Sequence, residues 1–341
     1  MRRPRVRHRP AQPSSCAGMW ADADEPAWGS AAPATFWVAL EQRGPWGNKA
    51  FVESRLDPRT GSAIERACAA AGGRALLIRS ADDHVLARAD ESGTRRLFVS
   101  GGMSSRAPWL LAADIEDPAL VLDLPFSTLV GPDPSAAIAA LPMLRRTGQS
   151  VLLVCTNAKR DACCAVLGRP VALEAADMRP GRVWECTHTG GHRFSATGVV
   201  LPTGATLARL TTDLAVASLD AAARGRIAEG TNDARHHRGL SHLRPPVQAA
   251  DAWVRATTGE VDVTALTSYL AQGGDGTTAD AWVTVVHRDG HRWDLRVRKR
   301  FDPTRLRRNS CITDPVPAER WDVTLQRETG PRTYRPLTPE L

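Results

Sequence analysis

The stretch from 150 to 230 constrains this chain more than any other, because its hydrophobic pattern changes period at short, regular intervals. SVLLVCT (150–156) is a continuous apolar run, as expected of a strand covered on both faces. CCAVLGRPVALEAADM (163–178) places apolar residues at helical spacing, although Gly168 and Pro170 weaken its middle. RVWECTH (182–188) reads as a second strand, and TGVVLPTGATLARL (197–210) as two apolar arms around a Pro202-Thr203-Gly204 turn. From Thr212 or Asp213, DLAVASLDAAARGRIAEG forms an amphipathic helix capped by Asp and stopped at Gly230. Strand, helix, strand, hairpin, helix is a thioredoxin-like order. The expected fold class is therefore α/β, with a thioredoxin-like unit at 147–235.

The chain has 341 residues, 43% of them hydrophobic, enough for two or three domains with buried cores. Upstream, 34–146 alternates strand-like FWVAL (36–40), ALLIR (75–79), RLFVSG (96–101) and LVLD (120–123) with a helix from Ser62 to Ala71 that stops at Gly72-Gly73. That predicts a small N-terminal α/β domain, in which GPWG (44–47) is a turn. Residues 1–33, opening MRRPRVRHRP and rich in Pro, Ala and Ser, read as a flexible basic tail. Downstream, 236–341 reads as a linker, HHRGLSHLRPP, then a helix (247–259) and a hairpin around Asp289-Gly290. WDVTL (321–325) adds a strand, giving a small α+β C-terminal domain. No internal repeat is visible.

Charge excludes less than it first suggests. The net charge is +7, nearly all of it from arginine, and the excess sits in the opening decapeptide and in RVRKRFDPTRLRR (296–308). Neither patch interleaves aromatics or carries a nucleic-acid-binding signature, so solvated surface is the expectation and no nucleic-acid partner is expected. No apolar run approaches the ~18 residues of a membrane span, and no membrane association is expected. Seven cysteines, four of them between 155 and 186, do not form a secreted disulfide framework. With no apolar signal core near the start, a reducing, cytoplasmic setting is expected.

Soft-metal ligands concentrate in one window: Cys155, Cys163, Cys164, Cys186, His188 and His192. Cys155 ends a strand, Cys163 and Cys164 open the following helix, and the histidines bracket Gly190-Gly191 in HTGGH. Several chemistries are excluded by spacing. Eight residues between Cys155 and Cys164 are too many for a zinc finger, H-T-G-G-H lacks the protease glutamate, and no C-x-x-C redox pair occurs. Cys186-Thr187-His188 supplies only half of a Rieske pattern. A thiolate pair followed by an imidazole pair, C-x8-C then H-x3-H, is a set able to hold a [2Fe–2S] cluster. Neutral imidazoles in place of two thiolates raise its reduction potential, and their second ring nitrogens let reduction couple to proton uptake.

VLLVCTNAKRDACCAVLGRPVA, followed by VWECTHTGGHRFSATGVVLPTG, strongly resembles the sucrase/ferredoxin-like family, a branch of the thioredoxin-like ferredoxins. The match lies at Cys155, Arg160-Asp161, Cys164, His188, Gly190-Gly191 and His192, and GPWG and RPPVQAAD also resemble bacterial members. The resemblance implies that Cys155, Cys164, His188 and His192 ligate one [2Fe–2S] cluster in a one-electron-transfer or redox-sensing protein. The electron-exchange partner implied is a redox protein of unknown identity, and no self-contained enzyme activity is implied. The sucrase element of the name finds no paired carboxylates placed for glycoside hydrolysis.

Alternatives remain at the level of single residues. Cys163 could replace Cys164 as ligand, although a one-residue shift reverses side-chain direction. Cys186 shares a strand face with His188 and reads as a structural thiol behind the cluster, or as an alternative ligand. Zinc in the same four ligands would give a redox-silent module, and a thiol oxidoreductase at Cys163/Cys164 is a third reading. Cys16 and Cys311 read as free surface or packing thiols, Cys68 as core, and His236, His237 and His242 as linker residues. Arg160 and Arg193, flanking the ligands, are expected to tune the potential, dock an acidic partner or remain solvated.

Overall fold

A computed structural model describes residues 13–21, 25–81, 93–271 and 279–330. In chain order, the first part contains α1 (Cys16–Ala21), β1 (Trp37–Glu41), α2 (Ala50–Glu53), α3 (Pro58–Ala70), β2 (Arg74–Ser80), β3 (Arg95–Gly101), β4 (Trp109–Ile115), α4 (Ser135–Ala140) and β5 (Arg145–Arg146). The second contains β6 (Val151–Cys155), α5 (Arg169–Met178), β7 (Val183–Cys186), β8 (Gly198–Leu201), β9 (Ala205–Leu207), α6 (Thr212–Ala222) and β10 (His237–Leu240). The last comprises α7 (Pro245–Thr258), β11 (Leu266–Leu270), β12 (Asp280–His287), β13 (Arg292–Arg307) and β14 (Val316–Thr329).

The fold is mixed α/β: one ten-stranded mixed sheet and a separate four-stranded antiparallel sheet. The large sheet runs β10-β9-β8-β6-β7-β2-β1-β3-β4-β5. β6 and β7 pair in parallel across the α5 crossover, and β8 and β9 follow antiparallel on the other side of β6. β1 and β2 repeat that scheme across α3, with β3 and β4 in the places of β8 and β9. The two halves meet where β2 pairs antiparallel with β7, Ile78 opposite Cys186. Both halves therefore share a thioredoxin-like order of strands. The sequence shows no repeat because topology needs only matching hydrophobic periods, not matching residues.

Strand burial follows from this position. β6 reads VLLVC with every residue buried, since helices and neighbouring layers cover both faces. Asp57 caps α3 by accepting the Thr60 N–H at 2.8 Å, and Pro58 follows at its first turn. Thr211, rather than Asp213, caps α6 by accepting from Leu214, and the helix ends at Ala222 instead of continuing to Gly230. LVLD proves to be part of a 3-10 helix over Pro118–Asp123 rather than a strand, its turn opened by Asp117, which accepts from Ala119.

Two segments expected to be irregular are structured. MRRPRVRHRP lies outside the described residues, but within the expected tail α1 is packed, with Cys16 and Trp20 fully buried. Trp20 meets Phe194 edge-on at 5.4 Å and donates to the Arg308 carbonyl, so a few apolar side chains outweigh the tail's polar composition. The expected linker contains β10, which extends the sheet beside β9 and is buried throughout.

In the small sheet, α7 lays Val247, Ala250 and Val254 on Val283, Val285, Leu295 and Val297. The arginine-rich run 296–308 lies mostly in β13, where Arg296 pairs with Asp280 at 2.6 Å and Lys299 with Glu319 at 2.7 Å. Part of its charge thus faces carboxylates on the neighbouring strands. Among the described residues no helix is long and apolar enough to cross a membrane.

His237 in β10 is buried with neither ring nitrogen hydrogen-bonded. Burial pushes its imidazole down to about 4, with Arg255 adding to the effect and Asp251 and Asp233 opposing it. The unfolded chain therefore takes up a proton between about pH 6.5 and 4 that the folded chain refuses, and stability falls as pH drops through that window. Urea unfolding of His237→Leu should show this acid loss reduced by up to about 3 kcal/mol relative to the parent. Equal losses in both proteins would assign the effect to other groups.

Candidate metal centre

The centre forms where the β6 strand end, the helix that follows it and the loop after β7 converge. Cys155 is the last residue of β6, and Cys164 begins the π-helical turn that leads into α5. That turn packs tightly on the strand: a Cβ at Gly168 would lie 2.3 Å from the Cys155 carbonyl oxygen. The glycine that weakened the helical pattern is therefore what lets the helix approach the strand. Both thiols are fully buried.

The sulfurs of Cys155 and Cys164 and a ring nitrogen of His188 lie within 4.8 Å of one another. The Cys164 thiol donates to Cys155, whose pKa this holds well below the ordinary range although burial opposes it. His188 and the Thr189 backbone N–H add to the depression, while Cys164 is pushed up by the same pairing and by burial. Ser195 donates its hydroxyl to the Cys164 sulfur at 3.8 Å. This surrounding favours a thiolate, the form that ligates metal.

The imidazoles sit on the side nearer solvent, both half-buried. His192 is not part of that group; its ring centroid lies 5.0 Å from that of His188 with the planes tilted by 31°. The Nδ1 atoms of both rings are buried without a hydrogen-bond partner. His192 Nε2 faces the Asp161 carboxylate at 3.9 Å, and burial pushes its pKa down although Asp161 pulls it up. Buried polar atoms are rarely left unpaired, and two orphaned imidazole nitrogens beside two thiols suit a metal centre.

Arg238, hidden in the segment read as a linker, holds the histidine loop in place. Its fully buried guanidinium donates to the Gly190 carbonyl at 2.9 Å and to the Ser30 hydroxyl at 3.0 Å. It also donates to the Ser30 carbonyl. Burial, together with Arg193, lowers its pKa to about 9 while Cys155 and Cys164 pull the other way, so it keeps its charge at neutral pH. A buried cation beside two thiols was not legible in HHRGL. The only local signal is an Arg-Gly pair followed by Leu240.

The remaining candidates fall elsewhere. Cys163, adjacent to Cys164, points into a different group with Cys16 and Cys311. Cys186 pairs in register with Cys155 and lies fully buried, its thiol pushed up by burial, but outside the group formed by Cys155, Cys164 and His188. Cys68 is core, on α3. Arg160 is exposed and donates to Asn48 at 2.9 Å. Arg193 is not a solvated docking residue: it stacks over Trp20 at 4.7 Å and Phe194 at 4.8 Å.

The family model described as sucrase/ferredoxin-like matches residues 28–229, a span that holds both thiols and both imidazoles. No curated protein and no solved structure matches the chain.

Gly191 adopts φ +69°, and a Cβ there would lie 2.3 Å from an Arg238 guanidinium nitrogen. Gly191→Ala should therefore lower the unfolding free energy by about 1–3 kcal/mol in a denaturant titration, through left-handed strain and displacement of Arg238. An unchanged value would mean that the loop does not depend on this close approach.

Proposed function

Because this chain belongs to the sucrase/ferredoxin-like family, we propose that it is an iron–sulfur protein holding one [2Fe–2S] cluster through Cys155, Cys164, His188 and His192. The observation that carries the reading is the meeting of two buried thiols with the His188 imidazole, His192 beside it, and Nδ1 atoms in both rings that lack partners. Two thiolates and two neutral imidazoles are a known ligand set for this group, and one thiolate pair with one imidazole pair matches its two irons. When bound, the group exchanges single electrons.

The chain's own residues set the conditions. Cys155 and Cys164 lie fully buried, which keeps water from the sulfurs, whereas the half-buried imidazoles lie between the centre and solvent. His192 faces the Asp161 carboxylate with Nε2, leaving Nδ1 for a metal. The Arg238 charge beside the thiolates stabilises added negative charge and so favours reduction. Exposed Arg160 is the proposed docking contact for a redox partner with an acidic surface.

Zinc in the same ligands is the second reading, since Cys155, Cys164 and His188 alone lie close enough for a single ion. The wider placement of His192 favours a two-iron group, which spreads its ligands further than a single ion does.

Protein purified without oxygen should be brown, contain iron and acid-labile sulfide, and bleach with dithionite. Cys155→Ala and Cys164→Ala should lose the colour and Cys163→Ala should keep it, while His188→Cys should keep a cluster of lower potential because an anionic ligand disfavours the added electron. Colourless protein free of iron and sulfide would sink the proposal. A potential unchanged or raised in His188→Cys would remove His188 from the ligand set.

A further inference from the structure

A second group of metal-ligating side chains lies apart from the first. Cys16 comes from α1, Asp161 and Cys163 from the loop after β6, and Cys311 from the loop joining β13 to β14. The sulfurs form a nearly equilateral triangle: Cys16 to Cys163 is 3.5 Å, Cys163 to Cys311 3.3 Å, and Cys311 to Cys16 3.5 Å. The Asp161 carboxylate lies 3.6 Å from the Cys16 sulfur. We propose that Cys16, Cys163, Cys311 and Asp161 form a second metal site, which takes one zinc ion.

The geometry carries the assignment. A tetrahedral zinc with Zn–S of about 2.3 Å and Zn–O of about 2.0 Å separates two sulfurs by about 3.8 Å and a sulfur from an oxygen by about 3.5 Å. The three sulfur pairs and the Cys16–Asp161 pair already stand within about 0.5 Å of those edges, and all four donor atoms lie within 4.8 Å of one another. A disulfide pairs two sulfurs at about 2.05 Å and leaves the third out, whereas three equal separations describe a common central partner. Three thiolates with one carboxylate suit zinc rather than magnesium or calcium, which take oxygen ligands.

The surroundings are those of a closed structural site. Cys16, Cys163 and Asp161 are buried, and Cys311 closes the group at its outer side. The Ala17 N–H and the Ser15 hydroxyl bond the Cys163 sulfur, and the Cys16 N–H bonds that of Cys311. Such donors steady thiolate ligands. Asp161 is oriented by the N–H groups of Cys163 at 2.9 Å and Cys311 at 2.8 Å and by the Ser310 hydroxyl at 2.9 Å. On binding, Zn²⁺ displaces to solvent whatever protons the three thiols still carry, and no electron moves. Four protein donors leave no open position, so the ion acts as a clasp. It ties α1 and the tip of the long hairpin to the loop that delivers Cys164.

The test uses the full chain, purified anaerobically from medium containing iron and zinc, with metals counted by mass spectrometry. The expected result is one zinc per chain besides any iron. Cys16→Ala and Cys311→Ala should each lower zinc by more than about tenfold while iron is retained, and Cys155→Ala should do the reverse. If either thiol variant fails to fold, the extended X-ray absorption fine structure at the zinc edge of the parent protein decides: three sulfurs at about 2.3 Å and one oxygen are expected. Parent protein without zinc, zinc unchanged in both Cys16→Ala and Cys311→Ala, or an intact mass lighter by two hydrogens from a disulfide among these cysteines would each overturn the proposal. Zinc lost only with Cys155→Ala would overturn it and the iron reading together. Absence of iron with zinc still lost in the Cys16 variant would overturn the iron reading alone.

Discussion

The buried carboxylate of Asp161 is the point on which the architecture around the centre depends. Burial works against its charge, yet the backbone N–H groups of Cys311 and Cys163 and the Ser310 hydroxyl outweigh that cost and hold its pKa below the ordinary value. One oxygen pair thereby connects the loop after β6 with the β13–β14 tip, with α1 through Cys16, and with the His192 ring at 3.9 Å. Buried charges persist only when such partners compensate them, so these segments are held to one another rather than merely adjacent.

A division of labour between faces follows. The two thiols of the first centre are anchored at a strand end and a helix start, the stiffest elements available, while the two histidines sit on a loop that needs Gly191 at positive φ. A loop alone would position a ligand poorly. Arg238 supplies the missing rigidity from the neighbouring strand by holding the Gly190 carbonyl. The same guanidinium places a positive charge beside Cys155 and Cys164, so one side chain serves both geometry and electrostatics.

The sheet shows how a shared strand order can carry unequal chemistry. β2-β1-β3-β4 and β7-β6-β8-β9 follow the same scheme and join through β2 and β7. Yet β6 ends in Cys155 where β1 ends in Glu41. Burial requirements preserve strand order in both halves, and only the residues at strand ends and in the following loops differ in chemistry.

The amino-acid sequence alone determined the strand-helix-strand-hairpin-helix order, the C-x8-C and H-x3-H spacings, and the choice of soft ligands, since each is written in residues near one another in the chain. LVLD and the expected linker were misread for the same reason: four apolar residues fit a 3-10 turn as well as a strand, and HHRGL becomes a strand only because β9 offers an edge. Only the tertiary structure decided that Cys163 turns away from Cys164 toward Cys16 and Cys311, partners 147 and 148 residues distant. It alone placed Arg238 under the histidine loop and folded α1 against Phe194. Those contacts arise from packing between remote segments, which no local period encodes.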